Sequence, residues 1–278
     1  MKKILVTFLA VLCAFTYASA QDLEQVTTIY NNAATAISDD NKDEAIKLFE
    51  QALEGATALG EEGNEIADQC KEVLPKLYSS VAKDALSAKD YEGALAKIEK
   101  AVEVAKKFNS EDIVAELGEL TPKVYIGIGA AKLATGNTDA AVEAFEKAKE
   151  LGQEEIADKQ LSNIFIKKAA AAQKAKDAKG ALEAAQKSLE YLNNPTAQKI
   201  VGLSALSLKQ NKVAADALEA YLSLSPNAKD KVQIIYQLGT ALVAAGDNGK
   251  ACGYFKQIAQ DAKWGEAARY QITTLKCN

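Results

Sequence analysis

Apolar and small side chains recur along this chain on a helical period, with polar residues filling the positions between them. One signature, small-bulky-small at i, i+4 and i+7, returns six times. It reads Ala45, Phe49, Ala52; then Ala94, Ile98, Ala101; then Ala141, Phe145, Ala148. It continues as Ala181, Ala185, Ser188; Ala214, Leu218, Tyr221; and Ala251, Phe255, Ile258. The spacing places each triplet on one stripe of a helix. Twelve positions before each first member stands another small residue: Ala33, Ala82, Gly129, Ala169, Gly202 and Gly239. Turn-forming residues fall a few positions before each triplet: Ser38-Asp39-Asp40-Asn41, Ala88-Lys89-Asp90, Thr135-Gly136-Asn137, Asp177-Ala178-Lys179-Gly180, Gln210-Asn211 and Gly246-Asp247-Asn248-Gly249. Gly and Asn tolerate the conformation that ends a helix, and Asp or Asn caps the next. The pattern predicts helix, tight turn, helix, six times over. No stretch alternates at period two, so no sheet is expected.

Successive first residues lie 49, 47, 40, 33 and 37 positions apart, so the early repeats carry longer helices or longer connections. Gly60 to Gly63 and Asn109 to Asp112 are the natural joints there, and a final helix is expected at about 264–276. Pro122, Pro195 and Pro226 read as lying between repeats, whereas Pro75 falls in a helical stretch, at its first turn or at a kink. Small residues let paired helices approach closely, and a bulky residue fills the groove between them. Such a pair cannot bury its apolar face alone and is stabilised by stacking on neighbours.

The chain resembles the tetratricopeptide repeat proteins. The third repeat carries the resemblance through Tyr125, Ile128, Gly129, Ala141, Phe145 and Ala148, and the sixth through Ile235, Leu238, Gly239, Ala251 and Phe255. The resemblance spans about residues 23–262, with Ala185 at a usual bulky position and Asn32 at a usual Leu. It implies an all-α, right-handed superhelical solenoid of about six helix pairs with a C-terminal capping helix. The expected divisions are 1–20, 21–121, 122–262 and 263–278: a leader, long-spaced repeats, regular repeats and the cap.

The leader is a separate segment. Lys2 and Lys3 precede an apolar run from Ile4 to Phe15, which ends in Ala18-Ser19-Ala20, the small-x-small pattern of a signal-peptidase site. The run is too short to span a bilayer, which takes about 20 apolar residues. Cleavage after Ala20 is expected, with export to a bacterial periplasm and no stable membrane insertion afterwards. Residues 1–20 hold two lysines and no acids, so 31 basic against 38 acidic residues leave the mature chain at −7. That balance disfavours nucleic acid as a partner. Arg269 is the only arginine and histidine is absent, which removes the commonest general base and the commonest metal ligand. The pairs Glu61-Glu62 and Glu154-Glu155 read as charges at helix N-termini. No catalytic residue, metal ligand or cofactor site is assigned, and an enzyme is not expected.

Three cysteines survive removal of the leader. Cys252 and Cys277 lie almost symmetrically about the turn near Trp264, so antiparallel packing would bring them together as a disulfide. Cys70 reads as a buried small residue.

In the family, the first helix of each pair, helix A, lines the concave face that holds ligands. Counting from each small residue assigns to that face Tyr30, Asn31, Lys76, Ser79, Ser80, Lys83 and Lys123 in the first half. Asn163, Lys167, Lys199, Tyr236, Gln237 and Thr240 follow in the second. The recurring lysines suit an acidic protein or peptide segment, with Tyr30 and Tyr236 as apolar anchors. The family's carboxylate clamp is not matched, because Tyr30 and Ala34 occupy its opening positions. Three readings stay open: a protein- or peptide-binding scaffold, a module that assembles through its edges, and a small-ligand or glycan carrier. Oligomeric state is left open.

Overall fold

The computed structural model describes residues 22–277. The expected leader, with its expected cleavage site, lies outside the described residues. Among those described, regular structure is helical throughout. The first half holds α1 (22–38), α2 (Lys42–Ala58), a short 3-10 turn (Gly60–Gly63), α3 (Asn64–Ser87), α4 (Tyr91–Lys107) and α5 (Glu111–Ala134). The second half holds α6 (Thr138–Glu150), α7 (Glu154–Lys174), α8 (Ala178–Tyr191) and α9 (Pro195–Ser207). It ends with α10 (Asn211–Leu224), α11 (Lys231–Ala244), α12 (Asn248–Gln257) and α13 (Gly265–Thr274). These are the helices expected for six hairpins, followed by the capping helix.

Each hairpin turn uses the same local chemistry. One residue with positive φ stands at Asp40, Lys89, Gly136, Lys176, Lys209 or Gly246, and the helix-capping residue follows it. The caps Asn41, Asp90, Asn137, Asp177 and Asp247 accept a hydrogen bond from a first-turn amide, which satisfies a donor the helix leaves free. On the other side, the amides of Asp90, Asp177, Gln210 and Asp247 reach back to close the end of the preceding helix. The first member of every triplet lies four residues after the cap. A left-handed conformation costs a side-chain-bearing residue about 1–2 kcal/mol, against an extra unfolded-state entropy of about 0.5–1 kcal/mol for glycine. Lys89→Gly, Lys176→Gly and Lys209→Gly are therefore each expected to stabilise the protein by about 0.5 kcal/mol. Urea melts of the single variants would show raised midpoints at unchanged slope.

The stretched spacings are longer helices. Pro75, Pro122 and Pro195 occupy one register, seven residues before Ala82, Gly129 and Gly202. Pro195 opens α9, at a position where its missing amide is harmless. In α3 and α5 the helix instead extends eleven residues upstream, over 64–74 and 111–121, and passes through a buried proline. Pro122 thus lies inside a helix rather than between repeats. The second helices α2 and α4, 17 residues each, also outrun α6, α8 and α10, at 13–14.

Two compact units divide the chain, one ending at Thr135 and the other beginning at Gly136. The boundary falls in the turn between α5 and α6, and α5 runs unbroken across 121/122. In the first unit the core gathers Ala33, Phe49, Ala52, Cys70 and Leu74. In the second it runs from Ala169 to Ala268 through Leu218, Leu238 and Phe255. The small-bulky pairing is direct. A Cβ added at Gly202 would sit 2.5 Å from Leu218, and one at Gly239 would sit 2.6 Å from Phe255. Where the bulky residue is replaced by Ala185, a polar contact joins the same two helices. Ser188 Oγ donates to the Ser162 carbonyl, and the Ser162 hydroxyl lies 2.7 Å from Ser188 Oγ, both side chains fully buried.

Candidate functional site: the helix A faces

Within the first unit, the assigned residues divide between core and surface. Tyr30 sets its ring edge-on against Phe49 at 5.4 Å, so its apolar face is engaged by its own repeat. Ser79 is 3% exposed, and its hydroxyl has no hydrogen-bond partner. Ser80 is half-buried and Asn31 exposed. Lys76 pairs with Glu72 one turn away at 2.7 Å, which holds the Glu72 carboxyl below its usual range. Lys83 reaches across to Glu116 on α5 at 2.5 Å. Lys123 is exposed and carries no ion pair.

The second unit repeats this division. Tyr236 packs between Phe255, at 5.6 Å, and Trp264, at 5.0 Å. Lys199 pairs with Asp230 and lies over the Tyr221 ring, while Tyr221 donates its hydroxyl to the same carboxylate at 2.7 Å. Burial, then the bond to Asp230, pushes the Tyr221 phenol up to about 12. Burial pushes Asp230 upward, but Lys199 and Tyr221 outweigh it and hold the carboxyl below its usual range. This trio ties α9, α10 and α11 together. Thr240 donates its hydroxyl to the Tyr236 carbonyl within its own helix, and Gln237 is half-buried with its side-chain oxygen unpartnered. Asn163 and Lys167 stand exposed on α7.

Two expectations are therefore corrected. Tyr30 and Tyr236 are not free apolar anchors, because their rings complete the repeat cores. The lysine row is largely neutralised: Lys76, Lys83 and Lys199 face acids, and only Lys123 and Lys167 remain uncompensated among those singled out. Helix periodicity locates a lysine on a face, but cannot see an acid brought up by another element, as Glu116 is to Lys83 and Asp230 to Lys199.

Residues passed over in the sequence complete the surface. Ile166, Leu203, Leu206 and Val243 are half-buried on α7, α9 and α11. A cleft of about 310 Å³ lies between α7 and α9, lined by Gln173, Leu203, Ser204 and Ser207 among others. Their signal was available, since Leu203 follows Gly202 directly and Leu206 and Val243 each lie four residues after a helix A glycine.

The expected disulfide is present: Cys252 and Cys277 are bonded, with Cα atoms 5.6 Å apart. Cys70 is fully buried, and burial pushes its thiol up to about 11, consistent with a packing role. Among the described residues, no group of three or more His, Cys, Asp or Glu could hold a metal ion, and no helix is long and apolar enough to cross a membrane.

A tetratricopeptide repeat family model matches residues 122–153, the second half of α5 with α6 and the turn after it. No curated protein matches. Among solved structures, YrrB, described as a TPR protein with an unusual peptide-binding site, is 20% identical; the match covers 70% of this chain and 91% of that one, with a TM-score of 0.34. The TPR2AB domain of yeast Sti1, solved in complex with an HSP90 species, is 16% identical over 91% of this chain and 98% of its own, with a TM-score of 0.35. PilW, a type IV pilus biogenesis factor, is 16% identical over 71% and 97%, with a TM-score of 0.32. TM-scores this low carry no weight here, and the assignment rests on the matched repeat and on the register it shares with the other hairpins. The match identifies a tetratricopeptide repeat at residues 122–153, within an all-helical repeat fold.

Proposed function

We propose that this protein is a non-catalytic scaffold of the bacterial cell envelope that holds a protein or peptide segment on its helix A face. The observation that carries the reading is the surface of α7, α9 and α11. There Ile166, Leu203, Leu206 and Val243 stay partly open to solvent beside exposed Asn163, Lys167 and Thr240. Apolar side chains with a polar border make the kind of surface that extended or helical peptides recognise. The free Lys167 in this unit, like Lys123 in the other, favours an acidic segment. Export is supported by the leader of residues 1–20 and by the disulfide, a bond that persists in oxidising compartments.

Two exposed substitutions test the face without touching the core. Lys167→Glu and Thr240→Arg in residues 21–278 are expected to release envelope proteins that the wild-type chain retains at physiological salt. Equal retention by both would overturn the helix A reading. N-terminal sequencing of the mature protein is expected to begin at Gln21, and an intact Met1 would overturn export by cleavage.

A second reading, assembly through the edges, is favoured by exposed aliphatic residues at the far ends of the hairpins. Leu151, Ile156, Leu192 and Leu224 are each 41–47% exposed in or beside the turns after α6, α8 and α10. Light scattering on residues 21–278 that gave a stable oligomer, lost in Leu192→Lys, would favour it.

A further inference from the structure

The added turns of the first unit build a cleft that the shorter hairpins lack the length to form in the same way. It has a volume of about 660 Å³ and lies between the C-terminal halves of α2 and α4, over α3. Thr57, Ala58, Lys107 and Phe108 come from the extra turns at the ends of α2 and α4, and Lys71 and Leu74 from the stretch of α3 before Pro75. Leu74 and Val104, nearly fully buried, form the floor, and half-buried Leu53 and Phe108 close it. The α2 lining spans residues 50–58, about 12 Å at the helical rise, the length of two helical turns.

The walls carry opposite charge. On the α2 wall stand Glu50, which accepts the Tyr78 hydroxyl at 2.7 Å, and Glu54, which has no ion pair. On the α4 wall Lys100 is matched by Glu103 in its own helix, leaving Lys107, beside the Phe108 ring, as the uncompensated charge. Lys71, at the floor, is matched by Asp68. The cleft is therefore an apolar trough two turns long, acidic along the α2 wall and carrying one uncompensated lysine, Lys107, on the α4 wall.

We propose that this cleft is a second docking site, distinct from the helix A face, and that it takes an amphipathic helix of a partner protein. The helix would lay an i, i+3, i+4, i+7 aliphatic seam on Leu53, Leu74 and Val104. Basic residues on one flank would meet Glu50 and Glu54, and acidic residues on the other would meet Lys107. Rim charges of this kind select the partner and its orientation more than they add affinity.

Three fluorescein-labelled 14-residue helical peptides with a leucine seam test this on residues 21–278 by fluorescence anisotropy. One has a Lys flank and a Glu flank, one has Lys on both, and one has Glu on both. The mixed peptide is expected to bind tightest. Thr57→Arg, at an exposed lining position, is expected to weaken it about tenfold or more. Glu54→Lys is expected to shift preference to the doubly acidic peptide, while Lys167→Glu and Thr240→Arg leave binding unchanged. Equal binding of all three peptides, or indifference to Thr57→Arg, would overturn the site. So would self-association of the chain that Thr57→Arg abolishes, which assigns the cleft to a second copy. Binding of the dye anilinonaphthalene sulfonate with no peptide binding would assign it to a small molecule and overturn the proposal equally.

Discussion

Truncating Phe255 to alanine is expected to destabilise the second unit by about 3–5 kcal/mol, the usual cost of removing a buried aromatic ring. Phe255 is fully buried, and its ring fills the space that the absent side chain of Gly239 leaves on α11. It also contacts Tyr236, whose other contact is Trp264, so the cavity would open beneath the capping helix as well. Guanidinium unfolding followed through the single tryptophan, Trp264, would report the loss. A control separates close packing from hydrophobicity. Gly239→Ala places a methyl within 2.6 Å of the ring and is expected to cost about 1–3 kcal/mol in the wild type, but much less when Phe255 is already alanine. Additive losses would show that the pairing of small and bulky residues is not what holds α11 to α12.

Breaking the Cys252–Cys277 disulfide is expected to be nearly as costly, at about 3 kcal/mol for a crosslink closing 25 residues. The loop it closes contains all of α13, a ten-residue helix that packs on α12. Ala268, fully buried, and half-buried Trp264 and Ile272 anchor that helix, but little apolar area is available to them. Cys252→Ser with Cys277→Ser is expected to lower the thermal midpoint and to speed hydrogen exchange in α13 ahead of α7 to α10. Uniform exchange along the second unit would show that the bond stabilises the repeats as a whole rather than their end.

Much of this fold was legible because its information is local. A cap, a residue that tolerates positive φ, and a small residue twelve positions before the triplet are all readable at short range. Together they located every hairpin turn from Asp40 to Gly246. Helix ends upstream of the prolines were not legible in this way. Pro195 starts a helix while Pro75 and Pro122 interrupt longer ones, and the same residue in the same register permits both. What decides between them is whether the eleven preceding residues find apolar partners, as Ala67, Cys70 and Leu74 do and as Ile113 and Leu117 do.

The candidate site was legible to a lesser degree for the same reason. Periodicity places Tyr236 and Lys199 on helix A, and both are there. That Tyr236 lies against Trp264, or that Asp230 turns in to meet Lys199, depends on where a residue of another helix comes to rest. Opposed charges on α2 and α4 are equally invisible along the chain, since Glu54 and Lys107 lie 53 positions apart. The sequence by itself determined the repeat, its register and its turns, because helix periodicity and capping act within a few residues. The tertiary structure decided which lysines are neutralised, which aromatics belong to the core, and where added turns leave a cleft. Those outcomes depend on distances between helices, which no local pattern encodes.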